Sequence, residues 1–285
     1  MLKPKVCVLR SAGTNCDQET AAAFKLAGAA AELLHINSLV SNRRTLEDFH
    51  ILALPGGFSY GDDVASGKIF ANELRFKLVD TLRKFIADGK LIIGICNGFQ
   101  ILVKSGFLPD LGPYGTLAQR TAKCALAGRR GQCAPVRDLK QNTSLIINDS
   151  AKFEARWVYL KPSGAYCVWT KGLKKIIYLP GAHGEGKFVV QDKNVLNRLK
   201  RNKQIVFQYC DTRGRLSGYP DNPNGSIENI AGICDPTGRI FGLMPHPERH
   251  ICAAQHPRKE ELKFKFESDG LQIFKNGVKY VRENL

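Results

Sequence analysis

The run Leu91 to Ile95 is wholly apolar and leads directly into Gly94-Ile95-Cys96-Asn97-Gly98, with a helical stretch from Phe99 to Lys104 beyond it. A short strand with no polar residue on either side must be covered on both faces, as happens inside a parallel sheet flanked by helices. Small residues on both sides of Cys96 permit a sharp turn from strand into helix. The spacing is that of the nucleophile elbow G-x-S-x-G with Cys in place of Ser. A side chain at such a bend stands above the carboxyl edge of the sheet, and the N-terminus of the next helix favours a negative charge on it. A buried cysteine in a tight turn is the plainer alternative for this motif taken alone.

The first half of the chain repeats the same alternation. Val6 to Leu9, Ala31 to Ile36 and Ile51 to Leu54 read as strands, and Asp17 to Ala27 and Asn72 to Ala87 carry apolar residues at helical spacing. The pattern predicts an α/β fold with an open, mostly parallel sheet flanked by helices. The second half reads as an additional β-rich section, with strands at Ser144 to Ile147, Trp157 to Leu160, Ala165 to Thr170, Ile176 to Leu179 and Lys187 to Val190. Ile230 to Cys234 and Ile240 to Met244 flank Asp235-Pro236-Thr237-Gly238, a hairpin signal. A helix over 270–285 closes the chain, with Leu271, Phe274 and Val278 on one face.

A thiol nucleophile needs a general base held by an acceptor. Met244-Pro245-His246-Pro247-Glu248-Arg249 follows an apolar strand and offers an imidazole with a carboxylate two residues later. His246 and His250 have i, i+4 spacing, but Pro247 opposes the helix a zinc-protease site needs, so no metal site is expected. Pro55-Gly56-Gly57 after another strand end can bring a backbone N–H to the same edge, and the N–H groups of Gly57 and Asn97 are the candidate oxyanion donors. Gly181 to Lys187 fits G-x-x-x-x-G-K, yet Phe188 stands where a Ser or Thr must meet magnesium. ATP chemistry is therefore expected outside this chain.

Composition removes several other classes. Nine cysteines, with no C-x-x-C pair, indicate neither a disulfide framework nor a zinc ribbon. Neither a secretory signal nor an apolar run of about 18 residues is present, which leads to the expectation of a cytoplasmic protein without a membrane span. The net charge of +16 raises nucleic-acid binding. Acidic residues interrupt the basic ones towards the C-terminus, and the densest basic stretch, Arg120 to Lys140, has no aromatic residue to stack on bases, so nucleic acid is not the expected partner.

With Cys96, the Pro-Gly-Gly turn and the His-Pro-Glu element in view, the chain resembles the class I glutamine amidotransferases, whose fold is flavodoxin-like. Further blocks narrow the resemblance: Arg10 to Asp17, Pro55 to Asp63, Cys96 to Gln100, Phe153 to Trp157, Ala182 to Gly186 and Asn222 to Ser226 look like those of the glutaminase subunits of phosphoribosylformylglycinamidine synthase. The resemblance implies one glutamine amidotransferase domain over 1–285. It implies glutamine hydrolysis through a thioester at Cys96, with His246 as base, Glu248 orienting it, and Gln100 helping to hold glutamine. Ammonia would pass to a separate synthetase subunit carrying ATP and magnesium, with a small third subunit in some complexes and no cofactor in this chain. The chain departs from short family members in a basic insertion at 112–140, read as a solvated loop in preference to a partner contact. The competing readings are a stand-alone cysteine hydrolase, such as a γ-glutamyl hydrolase or an intracellular peptidase, and a catalytically silent scaffold that binds a partner.

Overall fold

The computed structural model describes residues 2–109, 139–173, 175–258 and 268–285. The basic insertion read at 112–140 lies outside the described residues except for its last two positions.

Strands β1 (Lys5–Arg10), β2 (Ala30–His35), β3 (Ile51–Leu54) and β4 (Leu91–Ile95) are joined by β11 (Ile240–Leu243) in the order β2-β1-β3-β4-β11, all parallel. Every residue of β3, β4 and β11 is buried, as their continuous apolar sequences require when both faces are covered. The same sheet continues antiparallel through β10 (Ile230–Cys234), β9 (Ile205–Cys210), β6 (Glu154–Pro162) and β7 (Ile177–His183). A separate ribbon pairs β5 (Thr143–Ile146) with β8 (Lys187–Val190). The expected parallel half and, apart from the β5–β8 ribbon, the β-rich addition are thus two ends of one sheet.

Two local expectations need correction. The helical period over Asn72 to Ala87 belongs to two helices, α3 (Lys68–Lys77) and α4 (Val79–Ala87), which meet at Leu78 with φ −122°. Leu74, Leu78 and Leu82 keep their i, i+4 spacing across the break and all stay buried, so periodicity hides the bend. Ala165 to Thr170 contains a 3₁₀ turn at Val168–Thr170, not a strand. Its Trp169 is fully buried and donates from Nε1 to the Arg239 carbonyl at 3.0 Å. A short apolar run packs equally well as a strand or as a buried turn. Missed altogether were β9 and the helix Lys193–Arg201, where Asp192 caps the Val195 N–H and buried Val195, Leu196 and Leu199 underlie the basic residues. The C-terminal helix Leu271–Asn284 is present, and Asn276 pins it through Nδ2 to the carbonyls of Trp169 and Lys171, both at 3.0 Å.

Candidate active site

Four adjacent parallel strands, β1, β3, β4 and β11, end at one edge of the sheet. Leu54 lies beside Gly94, and Leu243 lies beside Ile95, so the turns after three of them start level. Each turn contributes a group: Cys16 after β1, Gly56 and Gly57 after β3, Cys96 after β4, and His246 with Glu248 after β11. This edge is where ligands bind in open α/β sheets.

Cys96 sits between β4 and α5 (Asn97–Ser105) with φ 51° and ψ −106°, a conformation that non-glycine residues seldom adopt and that costs of the order of 1–3 kcal/mol. Its N–H donates to the Leu243 carbonyl at 2.9 Å, and its thiol faces the Ala182 carbonyl at 3.6 Å. The glycine after the turn is obligatory for contact, since a Cβ on Gly98 would lie 1.9 Å from the Leu54 carbonyl oxygen. The elbow read from the sequence is therefore built by pressing α5 onto the end of β3.

His246 and Glu248 are buried, and Nδ1 of the ring lies 2.6 Å from Oε1 of the carboxylate. Among the described residues, Nε2 of the ring has no hydrogen-bond partner. Burial by itself opposes charge on this imidazole. The neighbouring Glu248 carboxylate and the thiols of Cys96 and Cys16 outweigh it and hold His246 well above the usual imidazole range. A Cβ on Gly56 would come 2.7 Å from His246 Cε1, 3.1 Å from Cys16 Sγ and 3.4 Å from Cys96 Cβ. The first glycine of the Pro-Gly-Gly turn thus leaves the space in which these three side chains converge.

Among the described residues, the N–H groups of Gly57 and Asn97, the candidate oxyanion donors, make no backbone hydrogen bond outside the regular elements. Gln100 is buried one helical turn beyond Cys96. Its Oε1 accepts from Asn97 Nδ2 at 2.9 Å, and its Nε2 donates to the Glu185 carbonyl at 2.7 Å. Lys104, a further turn along α5, is also buried, and its Nζ donates to the Ser66 carbonyl at 2.6 Å and lies 3.3 Å from Glu185 Oε2. Burial pushes the Lys104 ammonium down, and Glu185 pulls it back up. Helix α5 thereby ties the nucleophile's turn to the Ala182–Gly186 turn.

That second turn is ordered by Asn148, which sequence reasoning did not single out. The Asn148 N–H donates to the Gly184 carbonyl at 3.0 Å, its Nδ2 to the His183 carbonyl at 2.8 Å, and its Oδ1 accepts from the Gly186 N–H at 2.9 Å and faces His183 Nδ1 at 3.2 Å. His183 and Glu185 both lie in this ordered turn. Burial first, and the charge of His246 second, push the His183 ring from its ordinary 6.5 down to about 4. A ring kept neutral in the fold contributes stability that is fully present above pH 6.5 and is lost as pH falls towards 4, to a total of about 3 kcal/mol. Urea unfolding at pH 7.5 and pH 4.5 checks this: His183→Gln should lose about 2–3 kcal/mol less on acidification than the parent protein, and equal losses would assign the acid sensitivity to other groups.

Cys16 was likewise missed as a site residue. It is 1% exposed, accepts from Arg249 Nη2 at 3.1 Å, and lies against His246. The signal available was positional, because the turn after β1 had to open at the same sheet edge as the turn carrying Cys96.

Comparison with known proteins agrees with this geometry. The family model for the CobB/CobQ-like glutamine amidotransferase domain matches residues 3–281. Phosphoribosylformylglycinamidine synthase subunit PurQ of Dehalococcoides mccartyi is 45% identical over 285 residues, covering 99% of this chain and 100% of the relative. The protein of the same name from Methanococcus maripaludis is 43% identical over 291 residues, covering 97% of each. Among solved structures, the PurLQS structure from Thermotoga maritima superposes with a TM-score of 0.68 at 27% identity, over 98% of this chain and 100% of the other. Sheet, elbow and sequence agree, and the chain belongs to the CobB/CobQ-like glutamine amidotransferase family.

Proposed function

We propose that this chain is the glutaminase subunit of phosphoribosylformylglycinamidine synthase, releasing ammonia from glutamine for a synthetase subunit that converts formylglycinamide ribonucleotide into the amidine in purine biosynthesis. The observation that carries this reading is the buried His246, with Nδ1 on Glu248 and Nε2 left unpartnered beside a cysteine at a strand-to-helix elbow. Relatives that match over nearly their whole length bear the name of that synthase subunit.

The chemistry follows from the donor set. His246 Nε2 holds the proton given up by Cys96 while the sulfur, as thiolate, attacks the glutamine amide carbon, and Glu248 holds the ring with Nδ1–H as donor. The oxyanion is met by the N–H groups of Gly57 and Asn97. Collapse of this intermediate moves the proton from His246 to the leaving nitrogen, ammonia departs, and a thioester remains on Cys96. Water, deprotonated by His246, then releases glutamate and restores the thiol. The Gln100 amide keeps one donor and one acceptor position beyond those taken by Glu185 and Asn97, and these meet the α-amino acid end of glutamine.

The same reading carries a cytoplasmic location, ATP and magnesium on the synthetase, and a small third subunit in the assembly. Among the described residues, no helix is long and apolar enough to cross a membrane. Ammonia release from glutamine, measured with and without the synthetase, tests the reading. Glutamine hydrolysis and glutamine-dependent amidine synthesis in the complex are expected. Absence of both would return the chain to the scaffold reading, and partner-independent turnover of γ-glutamyl peptides would make it a stand-alone hydrolase.

A further inference from the structure

We propose that Cys16, His246 and Glu248 form a site for a thiophilic divalent cation, with zinc as the probe, whose occupation switches the glutaminase off. One donor atom from each of the three lies within 4.8 Å of the other two, and the residues are 1%, 2% and 0% exposed. Cysteine sulfur, imidazole nitrogen and carboxylate oxygen are the ligand types zinc takes, and three protein ligands leave a fourth position for water. Bonds of about 2.0–2.3 Å in a tetrahedral arrangement set such donors roughly 3–4 Å apart, so closure requires a movement of about an ångström.

A second observation points the same way. Glu248 uses Oε1 to hold His246, and among the described residues its buried Oε2 has no hydrogen-bond partner, which the hydrolytic role does not explain. A cation would satisfy that oxygen. Arg249 opposes the arrival of a dication, since its Nη2 donates to Cys16 Sγ. It has an alternative partner, with Glu19 Oε1 at 3.6 Å from the same nitrogen, and can leave the sulfur for that carboxylate. The expectation of no metal site rested on ligands spaced along one element. Here the sulfur comes from the turn after β1, and the nitrogen and oxygen come from the turn after β11.

Entry of the cation displaces the Cys16 thiol proton and the proton of the coordinating His246 nitrogen to solvent, and no electrons move. A coordinated imidazole can no longer exchange protons with Cys96, so hydrolysis stops. This consequence rests on the glutaminase reading, whereas the binding does not, and the test separates them.

Binding is measured on chelator-stripped full-length protein carrying Cys96→Ala, by equilibrium dialysis with zinc and by thiolate-to-metal absorption with cobalt(II). One tightly bound zinc per chain is expected, and adding Cys16→Ser should weaken it at least about tenfold and remove the cobalt–thiolate band. Zinc should also inhibit glutamine hydrolysis by the parent protein, reversibly by chelator. Cys16→Ser, compared with its own uninhibited rate, should require at least about tenfold more zinc. Zinc binding or zinc sensitivity that ignores residue 16 would overturn the site. Tight binding without any hydrolysis to inhibit would leave the site standing and strike the functional reading alone.

Discussion

Replacing Cys96 by alanine is expected to lower glutamine-dependent amidine synthesis by about 10⁴-fold or more, while synthesis from ammonium by the same complex keeps its rate. Only the first reaction needs the thioester, and no other thiol can substitute because the attacking sulfur has to stand at the bend. Cys16 comes from the turn after β1, not from the bend, and has Arg249 on its sulfur. The fold should tolerate the change, since alanine keeps the backbone N–H that Leu243 accepts and fits wherever the Cys96 Cβ now lies. The left-handed φ of 51° is as costly for alanine as for cysteine, so no stability should be gained by relieving it. Steady-state rates with glutamine and with ammonium chloride decide the matter. Loss of both would mean that the residue serves the assembly and not the thioester.

How far a site can be read from sequence depends on whether a residue's constraint is local. Cys96 was legible because the glycine after it is forced by a contact of its own helix with β3, and such contacts leave a motif. His246 and Glu248 were legible because two residues of one short turn hold the whole base and its acceptor. Cys16 and Asn148 were not, because what they do is set by partners far away in the chain: Cys16 meets Arg249, and Asn148 orders residues 183 to 186. The parallel half of the sheet was legible from continuous apolar strands alternating with helices. In the β-rich half, the central strand Ile205–Cys210 went unread. It follows the basic end of an amphipathic helix whose charges masked the buried Val195, Leu196 and Leu199. The bend at Leu78 was invisible for the opposite reason, since the apolar spacing continues across it.

His246 is the position at which activity and stability should come apart. Loss of the general base is expected to lower glutamine hydrolysis by about 10²–10⁴-fold for either alanine or glutamine at this position. The two differ in what they leave behind. Alanine strands Glu248, which is 0% exposed and, among the described residues, has no partner other than the ring, so that a buried carboxylate loses that donor. A buried pair broken in this way costs about 3–5 kcal/mol, whereas glutamine can offer an amide N–H to the same oxygen and should retain most of that stability. The sign of the ring's own titration agrees. Because the folded protein holds His246 above its ordinary range, the pair stabilises fully below pH 6.5 and the contribution is lost as pH rises through the raised value. Thermal or urea unfolding of both variants, with initial rates of ammonia release, separates base from brace. Equal stability of the two would show that Glu248 finds another donor once the ring is gone, and near-normal hydrolysis by either would remove His246 from the reaction.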